Sequence, residues 1–405
     1  MMAGTVNRTR FAYGRAAARS GMPAEALAHE AGGMSMKTKA AVLWEYGSDW
    51  SVEEVELDDP GPHEVRVKLA ASGLCHSDDH VRTGDLQVRL PMVGGHEGAG
   101  VVEEVGSAVT TVKPGDHVVL MFVPACGRCR WCATGHSNLC DLGAYLMIGE
   151  EIGGGFRIHA RGQDVSTMCI LGTFSPYCVV HESSVVKIDD DIPLDKAALV
   201  GCGVTTGWGS AVYLGETRPG DTVVVVGIGG IGAAALQGAR HAGARYIMAV
   251  DPVPWKREMA LKLGATHVAE SMEAALEPLT ELTRGQLADV AILTVGVARG
   301  SQIGPLMALV GKNGKAVVTA VAPHYDNEVS LKLHDLTFFQ KQIRGGLFGG
   351  ANPRADIPKL LELYRKGDIL LDEMITRTYT LEEINQGYAD MREGRNIRGL
   401  IRYDD

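Results

Sequence analysis

From Lys37 to about residue 190, apolar and polar positions alternate or gather in short apolar runs broken by Gly and Pro. "KAAVLWEY", "EVRVKLAASG", "GAGVVEEVG" and "DHVVLMFV" are the clearest of these. A period of two over such short spans predicts strands, and no long helical pattern develops before about residue 193. The rhythm then changes. "DTVVVVGIGGIGAAALQGARHAG" reads as a buried strand, a glycine turn and a helix. "RYIMAVD", a helix from about Trp255, "THVAE", "ADVAILTVG" and "GKAVVTAV" continue the alternation. Strands interleaved with helices predict a parallel sheet wrapped by helices. Beyond about residue 346, "IPKLLELYRKGDI" and "LEEINQGYADMREG" have amphipathic helical spacing and "IRGLIRY" that of a strand. This tail has too little core of its own and is expected to pack back on the β domain. The expected organisation is an extension over 1–35, a mostly-β domain over 36–210, a doubly wound α/β domain over 211–346, and a return to the β domain over 347–405.

Composition narrows the partners. The 405 residues carry 39 basic and 49 acidic side chains, a formal charge of −10, which speaks against nucleic acid. No apolar run reaches the roughly 18 residues a membrane helix needs. The N-terminal stretch stands apart: Arg8, Arg10, Arg15 and Arg19 precede the first acid, Glu25. That composition is compatible with a transit peptide. The reading adopted is a disordered leader, with Met34 or Met36 opening the folded chain. The stretch lacks the apolar core of a secretory signal, so a reducing cytoplasm is expected. Eight cysteines there point to metal or catalysis before disulfides.

The glycine turn is the first candidate site. Gly227, Gly229 and Gly232 form G-x-G-x-x-G directly after "VVVV". The first glycine permits a sharp turn, the second lets the backbone approach a pyrophosphate, and the third lets helix press on strand. The helix N-terminus presents free N–H groups to the phosphates. Asp251 ends the next strand, 24 residues after Gly227. A carboxylate there accepts from ribose hydroxyls and repels a 2′-phosphate, so NAD is expected over NADP.

The cysteines supply the second and third. Cys126, Cys129, Cys132 and Cys140 are spaced C-x2-C-x2-C-x7-C and can close a tetrahedral thiolate cage around a structural zinc. A nucleic-acid zinc ribbon would have the same ligands, but no basic recognition stretch accompanies them. Cys75 in "GLCHSDDH", His96 in "GGHEGAG" and Cys202 in "GCGVTTGWG" could converge on a second zinc with one open position, although their spacing alone does not group them. Cys169 and Cys178 belong to no pattern and read as small buried hydrophobes.

"GHEGAGVVEEVGSAV" from Gly95 resembles the zinc signature of the medium-chain alcohol dehydrogenases, and the 126–140 quartet and "VGIGGIG" follow in that family's order. The resemblance runs from about residue 36 to the end. "GCGVTTGWGSAV", "CGRCRWCATGHSNLCDLGA" and "KIDDDIPLDKAALVGCGV" further resemble the nicotinoprotein alcohol dehydrogenases of actinobacteria, assayed with N,N-dimethyl-4-nitrosoaniline. In those, NAD stays bound and is reoxidised in place by an external acceptor.

The resemblance implies a GroES-like catalytic domain, a Rossmann domain, two zinc ions per chain and a non-dissociable NAD. It implies oxidation of a small-molecule alcohol to an aldehyde, or the reverse, and a homodimer or homotetramer. Cys75, His96 and Cys202 match the catalytic zinc ligands. Ser77 matches the hydroxyl that contacts the substrate oxygen, His80 the outer base of the proton relay, Asp78 the carboxylate that orients the ligand His, and Glu97 an acid behind the metal. His76 and Arg398 match pyrophosphate positions. Thr206, Gly230 and Ile231 match positions near the cofactor, Asp251 and Lys256 ribose contacts, and Phe174 a pocket-lining ring. Three alternatives stand beside this: an NAD-exchanging alcohol dehydrogenase, a glutathione-adduct (formaldehyde) dehydrogenase and a zinc-free quinone reductase. A non-catalytic zinc scaffold is the non-enzyme alternative.

Overall fold

A computed structural model describes residues 35–403. Apart from Ser35, the extension expected over 1–35 lies outside the described residues.

The valines of "TVVVV" form the strand Thr222–Val226, buried on both faces: Val223 and Val225 enter one core, Val224 and Val226 the other. This strand is central to a parallel six-stranded sheet. The order is His267–Ala269, Tyr246–Val250, Thr222–Val226, Ala288–Leu293, Val310–Val318, Gln342–Gly345. Chain order reverses between Thr222–Val226 and Ala288–Leu293, which opens a crevice beyond their carboxyl ends, where such sheets bind ligands. The helix Gly230–His241 starts at that crevice.

The other domain is built on two β-sheets. Met36–Leu43, Ser51–Leu57, Ile158–Ala160, Gln163–Thr167 and Met92–Val93 close into a barrel. Seven further strands form a sheet around Glu64–Gly73. The C-terminal strand Arg398–Arg402 pairs antiparallel with Glu64–Gly73, Leu400 opposite Gly73, and so returns the chain end to the β domain. Among the described residues no single helix is long and apolar enough to cross a membrane.

One helix escaped the sequence pattern: His76–Thr83, "HSDDHVRT". Its buried residues are Asp78, Asp79, His80 and Val81, so hydrophobic periodicity points away from it. Charge and capping hold it instead. Asp78 and Asp79 lie in the first turn, His80 and Arg82 in the last, which complements the helix dipole, and Gly84 ends it at φ 80°.

Candidate active site and metal centres

Cys75 caps the N-terminus of His76–Thr83, His96 lies between Met92–Val93 and Gly98–Val105, and Cys202 caps Gly203–Gly209. Distant in sequence, they meet in space: one ligand atom from each, with a Glu97 carboxylate oxygen, lies within 4.8 Å of every other. All four residues are buried. Asp78 Oδ2 stands 3.1 Å from His96 Nδ1, paired by charge without hydrogen-bond alignment, while Asp78 Oδ1 accepts from Gly95 N at 2.8 Å. This leaves the other imidazole nitrogen of His96 free to serve as a ligand.

The electrostatics fit a divalent cation. The adjoining Cys202 thiol and then His96 hold Cys75 well below the usual thiol value, burial notwithstanding, and Cys202 is driven well above it by Cys75 and by burial. Burial works to lower His96, but Asp78 and the Cys75 thiolate carry it well above its ordinary value. Protons thus occupy what a metal would take over, since metal binding displaces them. Two thiolates and an imidazole are a zinc donor set with a position to spare.

The second cluster is closed. Sγ of Cys126, Cys129, Cys132 and Cys140 lie within 4.8 Å of one another, with Cys126–Cys132 and Cys129–Cys140 at 3.9 Å. A tetrahedron with Zn–S of about 2.3 Å has edges of about 3.8 Å. Backbone N–H groups of Cys129, Cys132 and Cys126 point to the sulfurs of Cys126, Cys129 and Cys140 at 3.3, 3.5 and 3.4 Å. Burial opposes ionisation of Cys129, but the N–H groups of Cys132 and Asp141 bring its thiol down to about 7. Trp131, Leu139, Met147 and Ile148 are exposed, so this lobe has little core, and a metal would supply its cohesion.

Between the two domains runs a cleft of about 420 Å³, lined by Gly227, Gly229, Gly230, Ile231, Asp251, Lys256, Cys75, His76 and Arg398 among others. Gly227 turns the chain at φ 96°, a conformation that favours glycine. Among the described residues, no atom beyond its chain neighbours lies within 4 Å of where a Cβ on Gly229 would sit, so the turn is open on the cleft side, as a pyrophosphate requires. Asp251 accepts from Ile228 N at 2.7 Å and Val253 N at 2.9 Å, fixing the turn. Burial lowers both Lys256 and His76 below their ordinary values.

Arg398 links the cleft to the donor cluster. Its Nη2 pairs with Glu97 Oε2, and its aliphatic stem lies against Gly230. Burial raises the Glu97 carboxyl to about 7 despite Arg398 and the Gly203 N–H, which donates to Oε1 at 3.0 Å. Arg398 Nε and Thr206 Oγ1 are buried with no hydrogen-bond partner among the described residues, as a site built for a polar cofactor would leave them.

The remaining expected residues fall in different places. Ser77 Oγ is 3.7 Å from Cys75 Sγ, beside the cluster. His80 is buried: Nε2 lies 3.0 Å from Gly296 O of the α/β domain and Nδ1 3.2 Å from Asp85 Oδ2. Phe174 is fully buried, edge-on to Trp50 and Tyr388, and it backs the Gly94–Gly95 turn instead of lining the cleft. Phe122 was not singled out from sequence. Its ring stands edge-on 5.8 Å from His96 and packs 4.5 Å from Phe348. Phe122 follows the strand His117–Leu120 within one apolar run, so the sequence offered no sign of a site.

Residues 61–190 match the family described as the alcohol dehydrogenase GroES-like domain, and residues 230–366 the zinc-binding dehydrogenase family. The chain belongs to the zinc-binding medium-chain alcohol dehydrogenases. Among its relatives, alcohol dehydrogenase B of Mycobacterium tuberculosis is 55% identical over 372 residues, 91% of this chain and 99% of the relative. The NDMA-dependent alcohol dehydrogenase of Amycolatopsis methanolica is 54% identical over 366 residues, 90% of this chain and 99% of the relative. Of solved structures, benzyl alcohol dehydrogenase from Acinetobacter calcoaceticus superposes with TM-score 0.84 at 31% identity, covering 91% of this chain and all of that one.

Proposed function

We propose that this alcohol dehydrogenase oxidises an alcohol to an aldehyde, or runs the reverse, at a zinc held by Cys75, His96 and Cys202, with hydride passing to an NAD in the adjoining cleft. The NAD stays bound through turnover and is reoxidised in place by an external acceptor, and a second, structural zinc fills the 126–140 cage. The observation that carries the reading is the convergence of two cysteines and a histidine, far apart in sequence, at the rim of a cleft floored by the glycine turn.

Bound zinc supplies Lewis acidity toward the alcohol oxygen, and the nicotinamide supplies the hydride acceptor. The chain's own residues do the rest. Ser77 accepts the proton released from the alcohol oxygen and gives up its own hydroxyl proton in turn. His80, one turn along the same helix face, passes it toward solvent with Asp85 behind it. Asp78 orients His96. Glu97 and Arg398 keep the rear of the metal site charge-balanced, and Arg398 and His76 face the pyrophosphate. Asp251 and Lys256 hold the adenosine ribose, Thr206 and Ile231 flank the nicotinamide, and Phe122 shapes the alcohol pocket, while Phe174 supports the Gly94–Gly95 turn before His96. Six of the eight cysteines belong to metal-donor sets, which suits a reducing compartment such as the cytoplasm. The parallel sheet ends in the strand Gln342–Gly345, near which Leu333 and Phe338 are exposed, a surface suited to a second copy in a homo-oligomer.

The test is the absorption spectrum of untreated protein before and after addition of alcohol alone. One equivalent of reduced nicotinamide per chain, without added cofactor, is the expected result. No reduction until free NAD is supplied would contradict the bound-cofactor reading.

A further inference from the structure

Phe348 carries a bulky side chain at φ 53°, with Gly349 at φ 64° and Gly350 at φ 71° after it. Three successive left-handed residues are unusual, and a buried phenylalanine in that region is an outlier that something must hold. Two supports are visible. On one side the segment presses on the helix that follows Cys202: a Cβ on Gly349 would strike the carbonyl oxygens of Thr205 and Thr206. On the other side it is tied to the four-cysteine lobe. Asn138 Nδ2 donates to Leu347 O at 3.0 Å, and Ser137 Oγ donates to Asn352 Oδ1 at 2.6 Å. Asn138 and Ser137 are themselves buried, in the short 3-10 turn immediately before Cys140.

Phe348 is 1% exposed and its ring packs on Phe122 at 4.5 Å, while Phe122 stands edge-on to the His96 imidazole at 5.8 Å. Phe122 is half-buried, so part of its ring stays open after these two contacts. A path of contacts therefore runs from Asn138, two residues before Cys140, through Leu347, Phe348 and Phe122 to His96.

We propose that the four-cysteine lobe sets the aromatic wall of the alcohol pocket. Asn138 acts as a positioning residue that holds Phe348 left-handed against Phe122, and so determines how well bulky alcohols are accepted. The proposal rests on the function proposed above and deepens it, giving a lobe without a reacting group a part in specificity. Releasing Asn138 from Leu347 O lets Phe348 relax toward an ordinary φ, and Phe122 loses its backing. Small alcohols, which do not reach the wall, are little affected.

The experiment is a double-mutant cycle on metal-loaded protein with Asn138→Ala and Phe348→Leu. Two readouts are used: the ratio of kcat/KM for benzyl alcohol over ethanol, and the ratio of dissociation constants for benzamide and acetamide measured by calorimetry. Each single change is expected to lower both preferences for the aromatic probe by about fivefold or more, and the double change no further than the larger single one. The ethanol kcat stays within about twofold, as remote positioning of the wall predicts. Aromatic preference unchanged in Asn138→Ala, or single effects that multiply in the double variant, would overturn the proposal. Should Asn138→Ala lose the lobe, Phe348→Leu, which leaves the lobe intact, must still lower the preference; an unchanged ratio overturns the proposal equally. A wild-type protein that oxidises neither alcohol refutes the function instead, and the amide binding ratio still decides the wall.

Discussion

Glu97 and Arg398, 0% and 5% exposed, form a buried ion pair between the metal-donor cluster and the glycine turn. One carboxylate oxygen meets the guanidinium and the other accepts from Gly203 N, directly after Cys202. The pair therefore ties the strand Arg398–Arg402, the Cys202 helix and the cofactor cleft together. Removing Glu97 leaves the guanidinium charged and buried, whereas removing Arg398 leaves a carboxyl, already raised to about 7 by burial, that takes up a proton. The first is the more costly, and removing both costs less than the sum. Glu97→Gln alone is expected to destabilise by about 3–5 kcal/mol, Arg398→Met alone by less because Glu97 can take up a proton, and the double variant by less than the sum. Urea unfolding of the metal-loaded variants checks this; additive losses would mean that the two side chains act independently.

A second carboxyl gives a pH signature. Burial, with a contribution from Glu64, pushes Glu151 up to about 8. Thr167 Oγ1 donates to its Oε1 at 3.0 Å, while Oε2 is buried without a partner among the described residues. The folded state thus holds this proton more tightly than the unfolded chain does. Its contribution to stability is complete below about 4.5, and it is lost progressively as pH rises to about 8. Glu151→Gln should flatten that part of the Tm-against-pH curve and leave Tm higher than wild type at alkaline pH. A variant curve parallel to wild type would assign the slope to other groups.

Asp251 serves both the glycine turn and the proposed ribose site. Asp251→Asn replaces one of its two acceptor oxygens by a donor facing a backbone N–H. NAD affinity is expected to fall about tenfold or more, and the preference for NAD over NADP to shrink as the repulsion of a 2′-phosphate disappears. Calorimetric titration of cofactor-depleted protein with both nucleotides measures the two effects. Unchanged NAD affinity would place the ribose elsewhere.

His80→Ala is expected to slow alcohol oxidation by about 10²–10⁴-fold, as loss of a general base does. His80→Gln keeps a donor for Gly296 O, so it should restore stability without restoring the rate. Rate recovery in the glutamine variant would reduce His80 to a tie between the domains.

The parts of this site legible in the sequence are those that obey a local rule. "TVVVV" before a glycine turn could only be a buried strand entering a helix, and the four cysteines at 126–140 carry their own spacing. Cys75, His96 and Cys202 lie on three separate elements; resemblance grouped them, and the fold brings their ligand atoms together. The helix His76–Thr83 was illegible because it buries aspartates and a histidine where periodicity looks for leucines. Phe122 and Phe348 were hidden for a related reason: an apolar residue in an apolar run, or between glycine pairs, reads as core. Only φ and ring contacts reveal what they face. Phe174 shows the converse, an aligned position whose ring the packing with Trp50 and Tyr388 turns into core.

The most direct test of the central claim is the zinc content of wild type and Cys75→Ser, measured together with alcohol turnover and thermal stability. The account predicts two zinc ions per wild-type chain. In Cys75→Ser it predicts one zinc, no turnover and a folded protein that retains the 126–140 site. Full turnover by Cys75→Ser, or two zinc ions still bound in it, would contradict the claim that Cys75, His96 and Cys202 hold the reacting metal.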